Sequence, residues 1–231
     1  ELTAIFTSGR TGDPKGVVLT MHNIGSNVDA IEQVIHLSDK DTVLGIVPFF
    51  HSFGFTVALW TVLGLDVRCA YHFNPLEAKQ VGQLARRRGA TVLLATPTFL
   101  RSYVRRCEPE DFANLEIVVT GAEKLPRSLA DAFEEKFGIR PVEGYGCTET
   151  SPVVAVNVPP SRSHGDQLDR KEGTVGRPAP GIAAKIVDPD TYEELPVGTP
   201  GMLLVTGPNI MKGYLGQPEK TAEVVRDGWY V

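Results

Sequence analysis

Cysteine is scarce in this chain: Cys69, Cys107 and Cys147 are the only three in 231 residues. They are far apart, form no CxxC pair and no zinc-ligand spacing. That excludes a disulfide framework and a structural zinc site, and points to free thiols in a reducing, cytoplasmic setting. Basic charge is also short. Lys and Arg number 23 against 28 acidic residues, a formal net charge of −5, which argues against a nucleic-acid partner held by a basic surface. The one basic run, Arg86 to Arg88, closes a helix-like segment, where cations meet the last carbonyls. No apolar run approaches the roughly twenty residues that a membrane span needs. The longest, FGFTVALWTVLGL, is broken by glycine and threonine. No signal peptide precedes the first strand-like segment, and a start at Glu1 suggests an excised piece.

What is present is the composition of an ordinary globular protein, 42% hydrophobic and 22% charged, long enough for one sizeable core or a core with a small satellite. From Leu2 to about Gly146, β-branched apolar runs (LTAIFT, TVLGIVP, VRCAYH, TVLLAT and LEIVVTG) alternate with helix-like stretches. Those stretches are IGSNVDAIEQVIH, the segment around Ala58, PLEAKQVGQLARRRG, TPTFLRSYVRRC and SLADAFEEKFG. Pro75 reads as a helix start, Gly89 as a helix end, and Thr96 as an N-cap before Pro97. The alternation predicts an α/β fold with a doubly wound, mainly parallel sheet, whose ligands sit at the carboxyl ends of the strands. After Pro152 the chain turns polar and proline-rich, then runs into short strands punctuated by Gly and Pro. The expected division is 1–156 as an α/β nucleotide- and acyl-binding part, 157–172 as a linker, and 173–231 as a small antiparallel, barrel-like β subdomain.

Four loops carry candidate chemistry. TSGRTGDPKG, Thr7 to Gly16, offers backbone N–H groups freed by glycine, hydroxyls, and the charge of Lys15: a phosphate cradle, or a surface turn of the Asp-Pro and Gly kind. It is not a Walker A loop, because Gly16 follows Lys15 where Ser or Thr is required. GYGCTETSP places Glu149 between Thr148 and Thr150; its carboxylate suits magnesium bridged to phosphates, or is a solvated loop charge. Tyr145 stacks on a base or plugs the core. PFFHSFG sets His51 in an aromatic stretch, as a structural or a pocket residue, and GAEKL after LEIVVT lines a pocket or makes a plain strand-to-helix turn.

Taken together and in order, TSGRTGDPKG, GYGCTET, GTVGRPAPG and the terminal GWYV resemble the adenylate-forming, AMP-binding superfamily of acyl-CoA synthetases, luciferases and peptide-synthetase adenylation domains. PFFHSFGFTVAL, VVTGAEKL, EGYGCTETSPVVAVNVP and GPNIMKGYL are most similar to the acyl-acyl-carrier-protein synthetase part of the bacterial bifunctional 2-acylglycerophosphoethanolamine acyltransferase group. The resemblance implies an ATP-dependent ligase that converts a fatty acid to an acyl-adenylate. The acyl group then passes to a phosphopantetheine thiol, that of acyl carrier protein or, alternatively, coenzyme A. By the same resemblance Thr7, Ser8, Gly9, Arg10, Thr11, Gly12 and Lys15 hold the β- and γ-phosphates, and Thr148 meets the α-phosphate. Glu149 binds Mg²⁺, Gly121, Ala122, Glu123, Gly144 and Tyr145 frame adenine, and His51 lies where carboxylate and α-phosphate meet. No residue need act as a nucleophile, so Cys147 is assigned no covalent role.

Arg10 departs from the family's Thr or Ser, exchanging a hydroxyl for a guanidinium that can fork onto phosphate oxygens. The family continues past GWYV into a ribose-binding aspartate, a hinge and a mobile C-terminal domain with a catalytic lysine. The expectation is therefore a piece of the N-terminal core that binds nucleotide weakly and does not turn over alone. Aryl or amino acids are the alternative substrates; the apolar FFHSFGF stretch favours a long acyl chain, each buried methylene gaining about 0.8 kcal/mol. A nucleotide-binding module without chemistry is the reading from a different class. An inner-membrane association of the parent protein is left open.

Overall fold

The computed structural model describes residues 1–7, 14–163 and 170–231. Its centre is a seven-stranded sheet, built around the β-branched runs. β3 (Thr42–Gly45), β4 (Arg68–Tyr71), β5 (Val92–Ala95), β6 (Ile117–Thr120), β7 (Val142–Gly146), β8 (Val153–Val156) and β9 (Arg177–Pro178) lie in the order 4-3-5-6-7-8-9. Pairing is parallel from β4 through β7, and antiparallel from β7 to β8 and β8 to β9. Continuous apolar strands are what a parallel sheet covered on its faces requires, and β3 and β5 are buried at every position.

The connecting helices follow local signals. α1 (Met21–Ile35) starts at Thr20, whose hydroxyl accepts from the Asn23 N–H in a reciprocal capping box. α2 (Thr61–Gly64) continues a wide π-helical segment, Phe53–Trp60. α3 (Ala78–Arg88) ends on Arg86 to Arg88 and is capped by Gly89 at φ 61°, a left-handed position that only glycine takes without strain. α4 (Pro97–Arg106) starts at the Thr96 cap with Pro97 at its first position, and α5 (Arg127–Phe137) closes the series. α3 packs against α4 and α4 against α5, whereas α1 packs against the π-helical segment and α2.

Two smaller sheets complete the molecule. β1 (Thr3–Thr7), β2 (Lys15–Leu19) and β12 (Gly213–Tyr214) form an antiparallel sheet in the order 1-2-12. β10 (Ala183–Val187), β11 (Met202–Thr206), β13 (Val225–Arg226) and β14 (Trp229–Tyr230) form another, in the order 10-11-14-13. α6 (Pro218–Val224) lies between β12 and β13. The α/β class with a mainly parallel sheet and a small antiparallel β region is thus the observed fold.

Three details differ from the sequence reading. LTAIFT does not join the parallel sheet: β1 pairs with β2, Thr7 opposite Lys15, so the opening loop joins two antiparallel strands. The stretch between them is too short for the crossover that a parallel pair needs, and KGVVL is itself a β-branched strand. α3 begins at Ala78, not Pro75, because Asn74 Oδ1 accepts from the Leu76 N–H and the Asn74 carbonyl from Glu77, making a turn around the proline. GYLGQPEKT is strand only at Gly213–Tyr214; Pro218 occupies a first helical turn and starts α6.

A buried ion pair ties the excursion after β8 to the foot of the sheet. Asp41, 2% exposed, accepts from Arg162 at 2.6 Å, from Thr91 Oγ1 at 2.9 Å and from the Ser38 N–H at 2.9 Å. Removing the guanidinium strands a buried carboxylate, so Arg162→Ala is expected to cost about 3 kcal/mol in denaturant unfolding. A loss under about 1 kcal/mol, the value of an exposed pair, would contradict this account.

Candidate functional site

The site is a cleft of about 850 Å³ at the carboxyl ends of β6 and β7. Side chains alternate along a strand, and Val92, Leu94, Ile117 and Val119, on one face of β5 and β6, line its floor. Ile31 and Ile35 of α1 close the apolar end. The rim is polar, built from Thr7, His51, Ser52 and the turn from Gly144 to Glu149.

That turn is fixed from several sides. The Cys147 N–H donates to the Pro152 carbonyl and the Thr150 hydroxyl donates to the same oxygen at 2.6 Å. Asn27, fully buried, pairs with Val153 through both amide atoms, at 2.9 and 3.0 Å, as a strand neighbour would. From the C-terminal side Asn209 Nδ2 donates to the Thr150 carbonyl at 2.9 Å, Ser151 Oγ donates to the Asn209 carbonyl at 2.7 Å, and the Met211 N–H donates to the Glu149 carbonyl at 2.8 Å. Buried amide groups that donate and accept in this way hold a turn in one geometry, although Asn209 Oδ1 itself is buried without a partner among the described residues.

The structure brings Thr7, His51, Gly121, Ala122, Gly144, Tyr145, Thr148 and Glu149 to one cleft. Thr148 is buried and its hydroxyl lies 3.1 Å from Ser52 Oγ. His51 accepts the Phe53 N–H at Nδ1, 3.2 Å, leaving Nε2 as its donor. Desolvation lowers the His51 pKa, so the ring is neutral at neutral pH. Lys15 and Glu123 do not line the cleft. The Lys15 ammonium lies 4.9 Å from the centre of the Tyr214 ring, and Glu123 accepts from Thr98 at 2.8 Å on the surface. Ser8, Gly9, Arg10, Thr11 and Gly12 lie outside the described residues.

Cys147 lines the cleft, but burial, ahead of its other influences, pushes its thiol up to about 11. It is protonated at neutral pH and a poor nucleophile. The Glu149 side chain accepts from Tyr214 at Oε1, 2.9 Å, and its carboxylate also meets the Cys147 thiol. Among the described residues no group of three or more His, Cys, Asp or Glu side chains is arranged to hold a metal. A cation at Glu149 would have one protein carboxylate, a donor set that fits magnesium completed by substrate phosphates and water.

Sequence reasoning missed Ser52 and Tyr214. Ser52 is adjacent to His51, and a serine in an otherwise apolar stretch was the available signal; Tyr214 lies in the GPNIMKGYL stretch, which carried a resemblance but no role for the tyrosine. Among the described residues no helix is long and apolar enough to cross a membrane.

A family model described as AMP-binding enzyme matches residues 2–215. The chain is 34% identical to a long-chain-fatty-acid–CoA ligase of Bacillus subtilis over 230 residues, covering 97% of this chain and 39% of that protein. It is 32% identical to 4-coumarate–CoA ligase 1 of Arabidopsis thaliana, covering 97% and 41%. The fold matches MatB from Rhodopseudomonas palustris, solved apo with a TM-score of 0.86 and 31% identity, covering 99% of this chain and 44% of that one. The ATP-bound form of that protein matches with a TM-score of 0.84. The chain thus spans about two fifths of the length of these curated relatives.

Proposed function

The chain belongs to the AMP-binding enzyme family, and on that premise we propose that its cleft activates a fatty acid with ATP for transfer to a phosphopantetheine thiol. The observation that carries the reading is the cleft itself, a polar rim of hydroxyls, one carboxylate and one neutral imidazole opening onto a chamber walled by Val92, Leu94, Ile117, Val119, Ile31 and Ile35. An acyl chain gains about 0.8 kcal/mol for each methylene buried in such a chamber.

In the first half-reaction a carboxylate oxygen attacks the α-phosphorus of ATP, and the bond to the β-phosphate breaks to release pyrophosphate. Two anions must approach each other, so the residues here neutralise and align rather than attack. Thr148 donates to the α-phosphate, backed by Ser52. His51, neutral and with Nδ1 occupied by the Phe53 N–H, donates from Nε2 to the reacting carboxylate or phosphate oxygen. Lys15, next to the cleft residue Pro14, is the cation for the β- and γ-phosphates, while Gly121, Ala122, Gly144 and Tyr145 frame the base. Glu149 would hold magnesium, which when bound supplies the positive charge that offsets the phosphate oxygens. In the second half-reaction the thiol, losing its proton, attacks the acyl carbon and AMP leaves.

The acceptor has two forms. The motif resemblance favours acyl carrier protein, and the names of the relatives favour coenzyme A. The test is AMP release by the full-length protein with a panel of fatty acids, offering each acceptor separately. Thioester on the carrier protein establishes that acceptor, and thioester on coenzyme A alone discards it. No AMP with any fatty acid, from a folded protein, overturns the fatty-acid reading and redirects the search to aryl and amino acids.

A further inference from the structure

One buried side chain touches both charged groups assigned to the phosphate end of the cleft. Tyr214, 6% exposed, donates its hydroxyl to Glu149 Oε1 at 2.9 Å and offers its ring face to the Lys15 ammonium at 4.9 Å. Its backbone is held on both sides. Tyr214 lies opposite Val17 in the β12–β2 ladder, and its N–H donates to Thr221 Oγ1 at 2.9 Å. Among the described residues neither Lys15 nor Glu149 makes an ion pair. Two opposite charges sharing one tyrosine would ordinarily close on each other, and each would then be spent on the other instead of on a ligand. The phenol gives each a neutral partner instead: a hydroxyl for the carboxylate, a π face for the ammonium.

We infer that Tyr214 is a positioning residue that keeps Lys15 and Glu149 apart and available, the ammonium for phosphate oxygens and the carboxylate for a cation. The inference rests on the nucleotide reading of the cleft. It separates two functions in one side chain: the hydroxyl acts through Glu149 on the cation, and the ring acts through Lys15 on phosphate.

The test is calorimetric titration of ATP into the full-length protein, without magnesium and at a series of magnesium concentrations. Tyr214→Phe removes only the hydroxyl. Its magnesium-free ATP affinity is expected to stay within about twofold of the parent. The magnesium concentration giving half-maximal enhancement should rise ~10-fold, the loss of one hydrogen bond to a charged group. In a Glu149→Gln background the same substitution should leave the magnesium dependence unmoved, because its route of action is gone. Tyr214→Leu, lacking the ring as well, should weaken magnesium-free ATP binding. A Tyr214→Phe magnesium titration that superimposes on the parent overturns the inference, as does the same ~10-fold shift persisting in Glu149→Gln. A parent protein that binds no ATP overturns the nucleotide reading itself, a result distinct from either.

Discussion

Glu149→Gln is expected to slow adenylate formation by about 10²–10³-fold, the usual loss when one preorganised electrostatic group is removed from a site of developing charge. The substitution keeps shape and volume. The amide oxygen can still accept from Tyr214, and the backbone carbonyl of residue 149 still accepts from the Met211 N–H, so the turn should stand. The effect should fall on the rate of acid-dependent pyrophosphate release, with the melting temperature nearly unchanged. Half-maximal magnesium should rise together with the loss of rate. A variant within about threefold of the parent rate, under half a decade of barrier, would remove Glu149 from the chemistry.

Gly146→Ala is expected to be the most damaging small substitution in the site. A Cβ at Gly146 would run into the Pro152 carbonyl oxygen, and that oxygen already accepts from the Cys147 N–H and the Thr150 hydroxyl. Neither side has a flexible side chain to yield; backbone would have to move. The cost is about 3 kcal/mol or more. For a chain of this size that is roughly 6–12 °C in melting temperature. Because Thr148 and Glu149 follow directly, activity should disappear even where the protein still folds. A fully stable, active Gly146→Ala variant would mean that the close approach of β7 to the Ser151–Pro152 corner is not needed.

What the sequence made legible was local. The Thr96 cap with Pro97 and the Gly89 stop depend on neighbours a few residues away, and the structure has them where the pattern puts them. So do the apolar strands of the parallel sheet and the turn that presents Thr148 and Glu149. Pairing across long separations was not legible. Nothing in LTAIFT says that its partner is KGVVL instead of a parallel neighbour, since β-branched content suits either environment. The Ser52–Thr148 contact spans 96 residues and the Tyr214–Glu149 contact spans 65, distances at which periodicity carries no information. Lys15 shows the same limit: its charge was conspicuous, but its place over the Tyr214 ring follows from β12 joining β2. Likewise the apolar chamber is not one sequence motif; β5 and β6 contribute alternate residues to it and α1 adds Ile31 and Ile35, one helical turn apart.

The central claim is that the cleft catalyses attack of a carboxylate on the α-phosphate of ATP. The most direct measurement is exchange of labelled pyrophosphate into ATP by the full-length protein, with and without a fatty acid and in the absence of any thiol acceptor. The account predicts exchange that requires both magnesium and the acid and that collapses in Glu149→Gln. Exchange that is absent, or that proceeds equally well without the acid, would contradict it.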